Sequence, residues 1–289
     1  MPELPEVTTM VNGLKDNVLG RTIIDVWSDA EKIVKKPNKF SDFKKQIIGR
    51  KIEKIERKGK VILIILDKNR TLLVHPKMSG HFLFGKWKKE GDSWKPKKKS
   101  ALEDPMNRFI HLIFFMDNSN MLAFSDLRKF ARIELWDTSQ LKNSEMLNRI
   151  GKDALEISLK DFTSVIGKYK KWKIKPLLMN QKEIAGIGNI YSDEILFRAK
   201  INPFREAGSL KKEEIKKLHQ SIKVILKKAI KVSGSSISDF RRIDGDKGSF
   251  QELIKAYGHQ GKKCSKCGGI IERKKLAGRS AHFCPKCQK

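Results

Sequence analysis

Cys264-Ser265-Lys266-Cys267, sixteen intervening residues and then Cys284-Pro285-Lys286-Cys287 place all four cysteines of this 289-residue chain within its last 26 residues. Each Cys-x-x-Cys pair bends the backbone so that two sulfurs converge on one point, and two such pairs at this spacing suit a tetrahedral zinc ion held by four thiolates. Gly268 and Gly269 follow the first pair, where a knuckle turns tightly. Four thiolates leave no open coordination position, so the expected zinc is structural rather than catalytic. Two disulfides are the other reading of four cysteines, and their crowding into one short segment argues for the metal. Between the pairs, Arg273, Lys274, Lys275, Arg279 and His282 fall on an expected β-hairpin that either presents an arginine to a phosphate or stands in solvent.

Upstream of this finger the pattern changes twice. Val7, Met10, Val11, Leu14 and Val18 recur at helical spacing over Glu6–Val18, with Pro5 suited to the first turn. Short β-rich runs follow at Arg21–Trp27, Lys51–Glu56, Lys60–Leu66, Thr71–His75, Arg108–Met116, Met121–Ser125 and Ala131–Trp136, separated by turns such as Asp67-Lys68-Asn69. Strands at this spacing predict a sandwich. Beyond Trp136, helical periodicity takes over at Leu159–Tyr169, Ile190–Ala199 and Lys211–Val232. The expected class is therefore α+β and multidomain: a β-sandwich with a leading helix over 1–136, a linker over 137–149, a helical domain over 150–257 and the finger over 258–289. The Gly-, Ser- and Asp-rich stretch Ser233–Gly248 is expected to be a flexible loop, and Lys86–Lys99, with Trp87 and Trp94, a mobile basic loop that touches nucleic acid or is merely solvated.

The charge sets the partner class. There are 62 Lys and Arg against 33 Asp and Glu, a formal net charge of +29, spread along the chain rather than collected in a tail. Such a field favours a polyanion over a neutral or basic partner. The sequence has no run of 18 or more apolar residues and no signal-type start, so a cytoplasmic location near the nucleoid is expected and a membrane role is not.

The opening Pro2-Glu3-Leu4-Pro5-Glu6-Val7 puts two prolines and two carboxylates ahead of a helix. Taken alone it is a helix start with its dipole complemented. Taken with the finger, it resembles the formamidopyrimidine-DNA glycosylase family, the bacterial enzymes that remove oxidised purines. The resemblance runs over nearly the whole chain: Lys60 at a β-rich run, His75-x-x-Met78-Ser79-Gly80, Asp126-x-Arg128-x-Phe130, Lys170-Lys171-x-x-Ile174-Lys175-Pro176, Gly186-Ile187-Gly188-Asn189-Ile190-Tyr191, and Arg279 five residues before Cys284. It implies a β-sandwich, a helix-two-turn-helix domain and a zinc finger, in a monomer that binds double-stranded DNA carrying oxidised bases or abasic sites in the cleft between its halves.

The resemblance also implies roles. With Met1 trimmed, Pro2 is a secondary amine that attacks the sugar C1′ and forms a Schiff base, from which β- and δ-elimination cut the strand. Glu3 is the acid/base, Lys60 a phosphate contact that assists elimination, and Arg279 the finger's grip on phosphate. Met78, Arg128 and Phe130 match the wedge that fills the gap left by an everted base. His75, Lys171 and Asn189 match DNA contacts, and Gly234–Gly248 corresponds to the lesion-recognition loop. The chain departs from the family in three places: Leu127 stands where proline is usual, Pro76-Lys77 interrupts the His-to-Met stretch, and Phe109 replaces one of two histidines. Three rival readings remain at this point, an endonuclease VIII-type enzyme for oxidised pyrimidines, a catalytically silent zinc-finger protein that binds DNA or RNA, and a basic ribosome-associated protein with RNA affinity and no strand cleavage.

Overall fold

A computed structural model describes every residue from Met1 to Lys289. The chain divides into two compact units, Met1–Asn148 with Val232–Gln251, and Arg149–Lys231 with Glu252–Lys289. The first unit opens with helix α1 (Leu4–Val18), which is followed by β1 (Ile23–Ser28), β2 (Val34–Lys36), α2 (Phe40–Ile47), β3 (Ile52–Lys58), β4 (Val61–Leu66), β5 (Arg70–His75) and β6 (His81–Gly85). Then come β7 (Trp87–Glu90), β8 (Ser93–Pro96), β9 (Ile110–Met116), β10 (Met121–Ser125), β11 (Arg132–Asp137) and the short α3 (Glu145–Asn148). Strands β1-β9-β10-β6 form one antiparallel sheet. The other is β2-β11-β5-β4-β3, antiparallel except where β2 runs parallel to β11.

One core joins the two sheets. Val26, Phe82, Phe114 and Phe124 from the first sheet meet Ile55, Ile64, Leu72, Val74 and Ile133 from the second, and Val7, Met10 and Leu14 of α1 join them. This is the expected sandwich with its leading helix. All seven expected strands are present, with ends within two residues of those read from sequence.

The first sheet has a second buried face. Ile110 and Ile113 of β9, Leu83 of β6 and Ala123 of β10 pack with Trp87, Trp94, Trp27 and Leu102. Burial on both faces explains why β9 reads Ile-His-Leu-Ile-Phe-Phe-Met without alternation. It also corrects the expectation for Lys86–Lys99, which is a β7–β8 hairpin rather than a mobile loop. Trp87 is 1% exposed and Trp94 meets Trp27 edge-on at 5.2 Å. These indoles are used inside the protein, which leaves the hairpin's lysines and not its aromatic rings to face outward.

The second unit carries β12 (Lys152–Asp153), α4 (Leu159–Lys168), α5 (Ile174–Leu178), β13 (Ile184–Ala185), α6 (Asn189–Ala199), α7 (Lys212–Lys231) and the antiparallel hairpin β14 (Glu272–Leu276) and β15 (Arg279–Phe283). Helix α7 buries Ile215, Leu218, Ile222, Leu226 and Ala229 on one stripe, as its periodicity requires. Helix α6 is buried nearly all round, Asp193 and Glu194 included. Each acid has partners: Asp193 bonds Lys175 Nζ at 2.6 Å and His282 Nδ1 at 2.9 Å, and Glu194 accepts from the backbone N–H groups of Lys255, Ala256 and Tyr257. A buried carboxylate is tolerable only when so satisfied.

The unit boundaries differ from the sequence expectation in two places. Residues 137–148 belong to the first unit, held by Asn69 Nδ2 on Asp137 Oδ1 at 2.8 Å, Thr71 on Thr138 at 2.8 Å and Lys58 Nζ on the Leu147 carbonyl at 3.2 Å. Val232–Gln251, which contains the Ser233–Gly248 stretch expected as a flexible loop of the helical domain, packs into the first unit, with Phe240 and Ile243 in its core. Polar composition hid those two anchors.

Candidate functional site

At the chain's start the sequence builds a buried pair of carboxylates. Glu3 is the N-cap of α1 and forms a capping box with Glu6, its N–H donating to Glu6 Oε2 at 2.8 Å. Both acids are 3% exposed. The second oxygen of Glu6 accepts the Ser235 N–H at 2.7 Å. Gly234 is required beside it: its φ is +75° and a Cβ would sit 2.7 Å from Glu6 Oε1. Pro2 is buried in the same place. Burial lowers the proton affinity of the neighbouring Met1 amine, Glu3, Glu6 and Asp239 oppose that effect, and Lys60 adds to it. Lys60 itself is 6% exposed, at the turn between β3 and β4. The structure therefore brings Pro2, Glu3 and Lys60 into one electrostatic neighbourhood.

A second cluster lies where β5 ends. His75 is held neutral, its pKa pushed down to about 3 by burial and then by the cations Lys77 and Lys60. Its Nδ1 accepts the Lys77 N–H at 3.0 Å. The turn that follows is tied to the one after β10: Ser79 Oγ donates to Asp126 Oδ1 at 2.6 Å and accepts the Arg128 N–H at 3.1 Å, while Asp126 Oδ2 accepts the Ala131 N–H at 2.8 Å. These bonds fix two turns whose tips are apolar and exposed, Met78 at 36%, Leu127 at 44% and Phe130 at 54%. The Arg128 guanidinium lies 4.7 Å from the Phe130 ring centroid. Met and Phe in a β-domain are ordinarily core, and their exposure on pinned turns suits them to contact something outside the protein.

The neutral His75 makes a prediction. Its folded pKa lies below the ordinary value near ~6.5, so the stability that it permits is complete above that pH and is lost as pH falls toward about 3. His75→Gln is expected to lose less melting temperature than the parent between pH 7 and pH 4.5. Parallel losses would refute the assignment.

In the second unit, Asn189 begins α6 after a turn closed by Gln181, whose Nε2 donates to the Ile187 carbonyl at 2.7 Å and whose Oε1 accepts the Gly186 N–H at 2.9 Å. Asn189 Oδ1 is buried without a hydrogen-bond partner. Because amide oxygen and nitrogen are interchangeable by a flip, that orphan serves equally as a donor awaiting an acceptor. Lys171 is exposed on the turn between α4 and α5. Arg279 is exposed beside the Ala277-Gly278 turn of the β14–β15 hairpin, the two turn residues having φ of +48° and +76°. Lys175 sits in a quoted motif, but its use escaped the sequence reading: it is 1% exposed, and besides Asp193 it bonds the Ser280 carbonyl at 2.6 Å, steadying the strand that starts at Arg279. A lysine fully buried by tertiary packing has no local signature in a chain with so many lysines.

The four cysteine sulfurs all lie within 4.8 Å of one another, Cys264 to Cys287 at 3.8 Å and Cys267 to Cys284 at 3.5 Å. Tetrahedral thiolates at a Zn–S distance of ~2.3 Å stand ~3.8 Å apart, whereas a disulfide needs ~2.05 Å. The cysteines are not paired as disulfides, and the donor set fits one zinc ion. Phe197, Ala256 and Ile271 pack around Cys264 and Cys284.

Comparison with known proteins adds to this geometry. Residues 1–133 match the formamidopyrimidine-DNA glycosylase N-terminal domain, 150–241 the H2TH domain of the same family, and 261–289 the zinc finger found in FPG and IleRS. The chain is 38% identical over 290 residues to the formamidopyrimidine-DNA glycosylase of Pelotomaculum thermopropionicum, covering 100% of this chain and 99% of that one. It is 38% identical over 293 residues to that of Streptococcus mutans, covering 100% of both. Among solved structures, a point mutant of Lactococcus lactis FPG in complex with Fapy-dG-containing DNA superposes with a TM-score of 0.85 at 35% identity, covering 100% of both chains. The Lactococcus lactis Fpg complex with abasic-site DNA matches with a TM-score of 0.85 at 35% identity over 99% of both.

Proposed function

The chain belongs to the formamidopyrimidine-DNA glycosylase family and is a base-excision repair glycosylase that removes oxidised purines, and on that premise we propose that Pro2, freed of Met1, is its nucleophile. The observation that carries the reading is geometric: Pro2 is buried at the head of α1, next to the Glu3–Glu6 capping box, whose two carboxylates are each 3% exposed. An α-amino group titrates near ~8 and a lysine near ~10.4, so even without that burial the amine offers more neutral nucleophile at physiological pH. While Met1 remains, Pro2 carries an amide nitrogen and has no such chemistry.

The Pro2 nitrogen attacks C1′ of the damaged nucleotide, the C1′–base bond breaks, and Glu3 supplies the proton that opens the sugar ring. The resulting iminium draws electrons from C2′ when a proton leaves there, and the 3′-phosphate departs, followed by the 5′-phosphate. Lys60 contacts a phosphate beside the lesion and assists elimination, and Arg279 grips phosphate near the everted nucleotide. Met78, Arg128 and Phe130 occupy the space of the everted base, at an unstacking cost of a few kcal/mol. His75, Lys171 and Asn189 hold backbone phosphate, His75 as a neutral donor through Nε2. Zinc supplies no step; held by Cys264, Cys267, Cys284 and Cys287, it fixes the fold of the finger that presents Arg279. No helix is long and apolar enough to cross a membrane.

The test is borohydride trapping on a duplex with one 8-oxoguanine opposite cytosine, followed by peptide mapping. The expected adduct is on Pro2. An adduct on a lysine, or none on a chain confirmed to begin at Pro2, would overturn the assignment. A Lactococcus lactis Fpg has been solved with DNA containing an oxidised pyrimidine, so the same assay with that lesion measures how far the substrate range extends.

A further inference from the structure

The segment Val232–Gln251 is anchored at both ends. At one end, the Ser235 N–H rests on Glu6 and Gly234 leaves no room for a side chain. At the other, it meets the two turns of 3-10 helix, Ala101–Glu103 and Pro105–Arg108, that link the β7–β8 hairpin to β9. Arg241, 6% exposed, pairs with Asp104 at 3.0 Å and also caps the carbonyls of Ser238 and Phe240. Asn107, 1% exposed, donates to the Gly245 carbonyl at 3.0 Å and the Ala101 carbonyl at 2.9 Å, and its Oδ1 is bridged to His81 Nε2 at 3.1 Å. The fit is backbone to backbone: at Gly245, with φ of +88°, a Cβ would stand 2.7 Å from Ala101 and Leu102. The Phe84 N–H on the Ile243 carbonyl, at 2.8 Å, completes the seam.

Between these anchors the chain arches outward. Ile237 is 48% exposed and Ser238 is exposed, while Asp239 is near enough to the Met1 amine to favour its charged form. We propose that the turns 101–108 are a latch that holds this arch over the reacting nucleotide, and that Asp104 and Asn107 are positioning residues for base removal. The inference rests on the proposed function: an arch beside the nucleophile meets the damaged base before it leaves, and has nothing to hold once the site is abasic. Misplacing a positioning element by about 1 Å costs as much as ~10²-fold in rate. Removing one partner of a largely buried ionic contact leaves a charge without its counterpart, here the buried Arg241 without the half-buried Asp104 or the reverse, so the latch depends on both members.

The experiment compares the parent with Asp104→Asn, Arg241→Met, the double variant and Asn107→Ala. Asparagine keeps the acceptor that caps the Met106 N–H, so the turn survives while the charge is lost. Single-turnover 8-oxoguanine excision is expected to fall about 10- to 100-fold in each single variant, with cleavage at a preformed abasic site unchanged within about two-fold. The double variant should be no slower than the worse single one, as members of one contact are non-additive. In the DNA-free protein, amide exchange over 236–248 should accelerate in Asp104→Asn. Equal loss of both activities, unaltered excision or unaltered exchange would each overturn the latch. A parent that excises no oxidised purine would overturn the proposed function itself, and the latch with it; that result is read before any variant is made.

Discussion

Glu3→Gln is expected to lower base removal by about 10²- to 10⁴-fold while covalent trapping at a preformed abasic site survives, the range over which a single general acid is missed. Glu3 is the N-cap of α1 and forms a capping box with Glu6, and glutamine retains the acceptor such a cap needs, so the start of the helix should not move. What glutamine lacks is a transferable proton. Breaking the bond to the base requires a proton on the sugar as charge develops, whereas an abasic site already presents an aldehyde in its open form, and the Pro2 amine condenses with that without the same assistance. Single-turnover excision and borohydride trapping on the two substrates separate the steps. Equal loss of both would mean that Glu3 acts on the nucleophile rather than the leaving base, and a melting temperature well below the parent's would mean that the cap had failed.

Much of this site is legible in the amino-acid sequence, for reasons that differ by residue. The cysteines are legible because metal binding constrains spacing within a short stretch. The sandwich strands are legible where turns punctuate them. Met78 and Phe130 carry no sign of exposure in their own chemistry; only their place in motifs pointed outward, and their exposures of 36% and 54% agree with that. The misreadings share one cause, which is contact between residues distant in sequence. Trp87 and Trp94 read as part of a mobile basic loop because the sheet face that they cover is built from β6, β9 and β10. Strand β6 was overlooked because Phe82 and Leu83 face opposite cores and show no alternation. The Val232–Gln251 segment looked like a free loop because its anchors, Glu6, Asp104 and Asn107, lie more than a hundred residues away.

Removing zinc is expected to abolish DNA cleavage and restoring it to recover the activity, with one zinc bound per chain. Four thiolates all within 4.8 Å of one another, two pairs of them at 3.5 and 3.8 Å, cannot remain so without a cation between them, since deprotonated sulfurs repel and protonated ones are weak donors. Structural zinc in small fingers is worth ~10–16 kcal/mol of apparent binding free energy, more than such a segment can replace by burying apolar surface. The loss should spread. Cys264 and Cys284 pack against Phe197 of α6, and β15 supplies the His282 and Ser280 contacts of the buried Asp193 and Lys175. When the hairpin loosens, that ion pair is opened to water and Arg279 no longer has a fixed position. Hydrogen exchange on the chelated protein should therefore show loss of protection over 272–283 and at the middle of α6, with the sandwich strands β4, β5 and β9 still protected. Cleavage that persists at full rate in a chain shown to be metal-free would exclude a structural zinc, and an oxidised mass for the four cysteines would return the reading to disulfides.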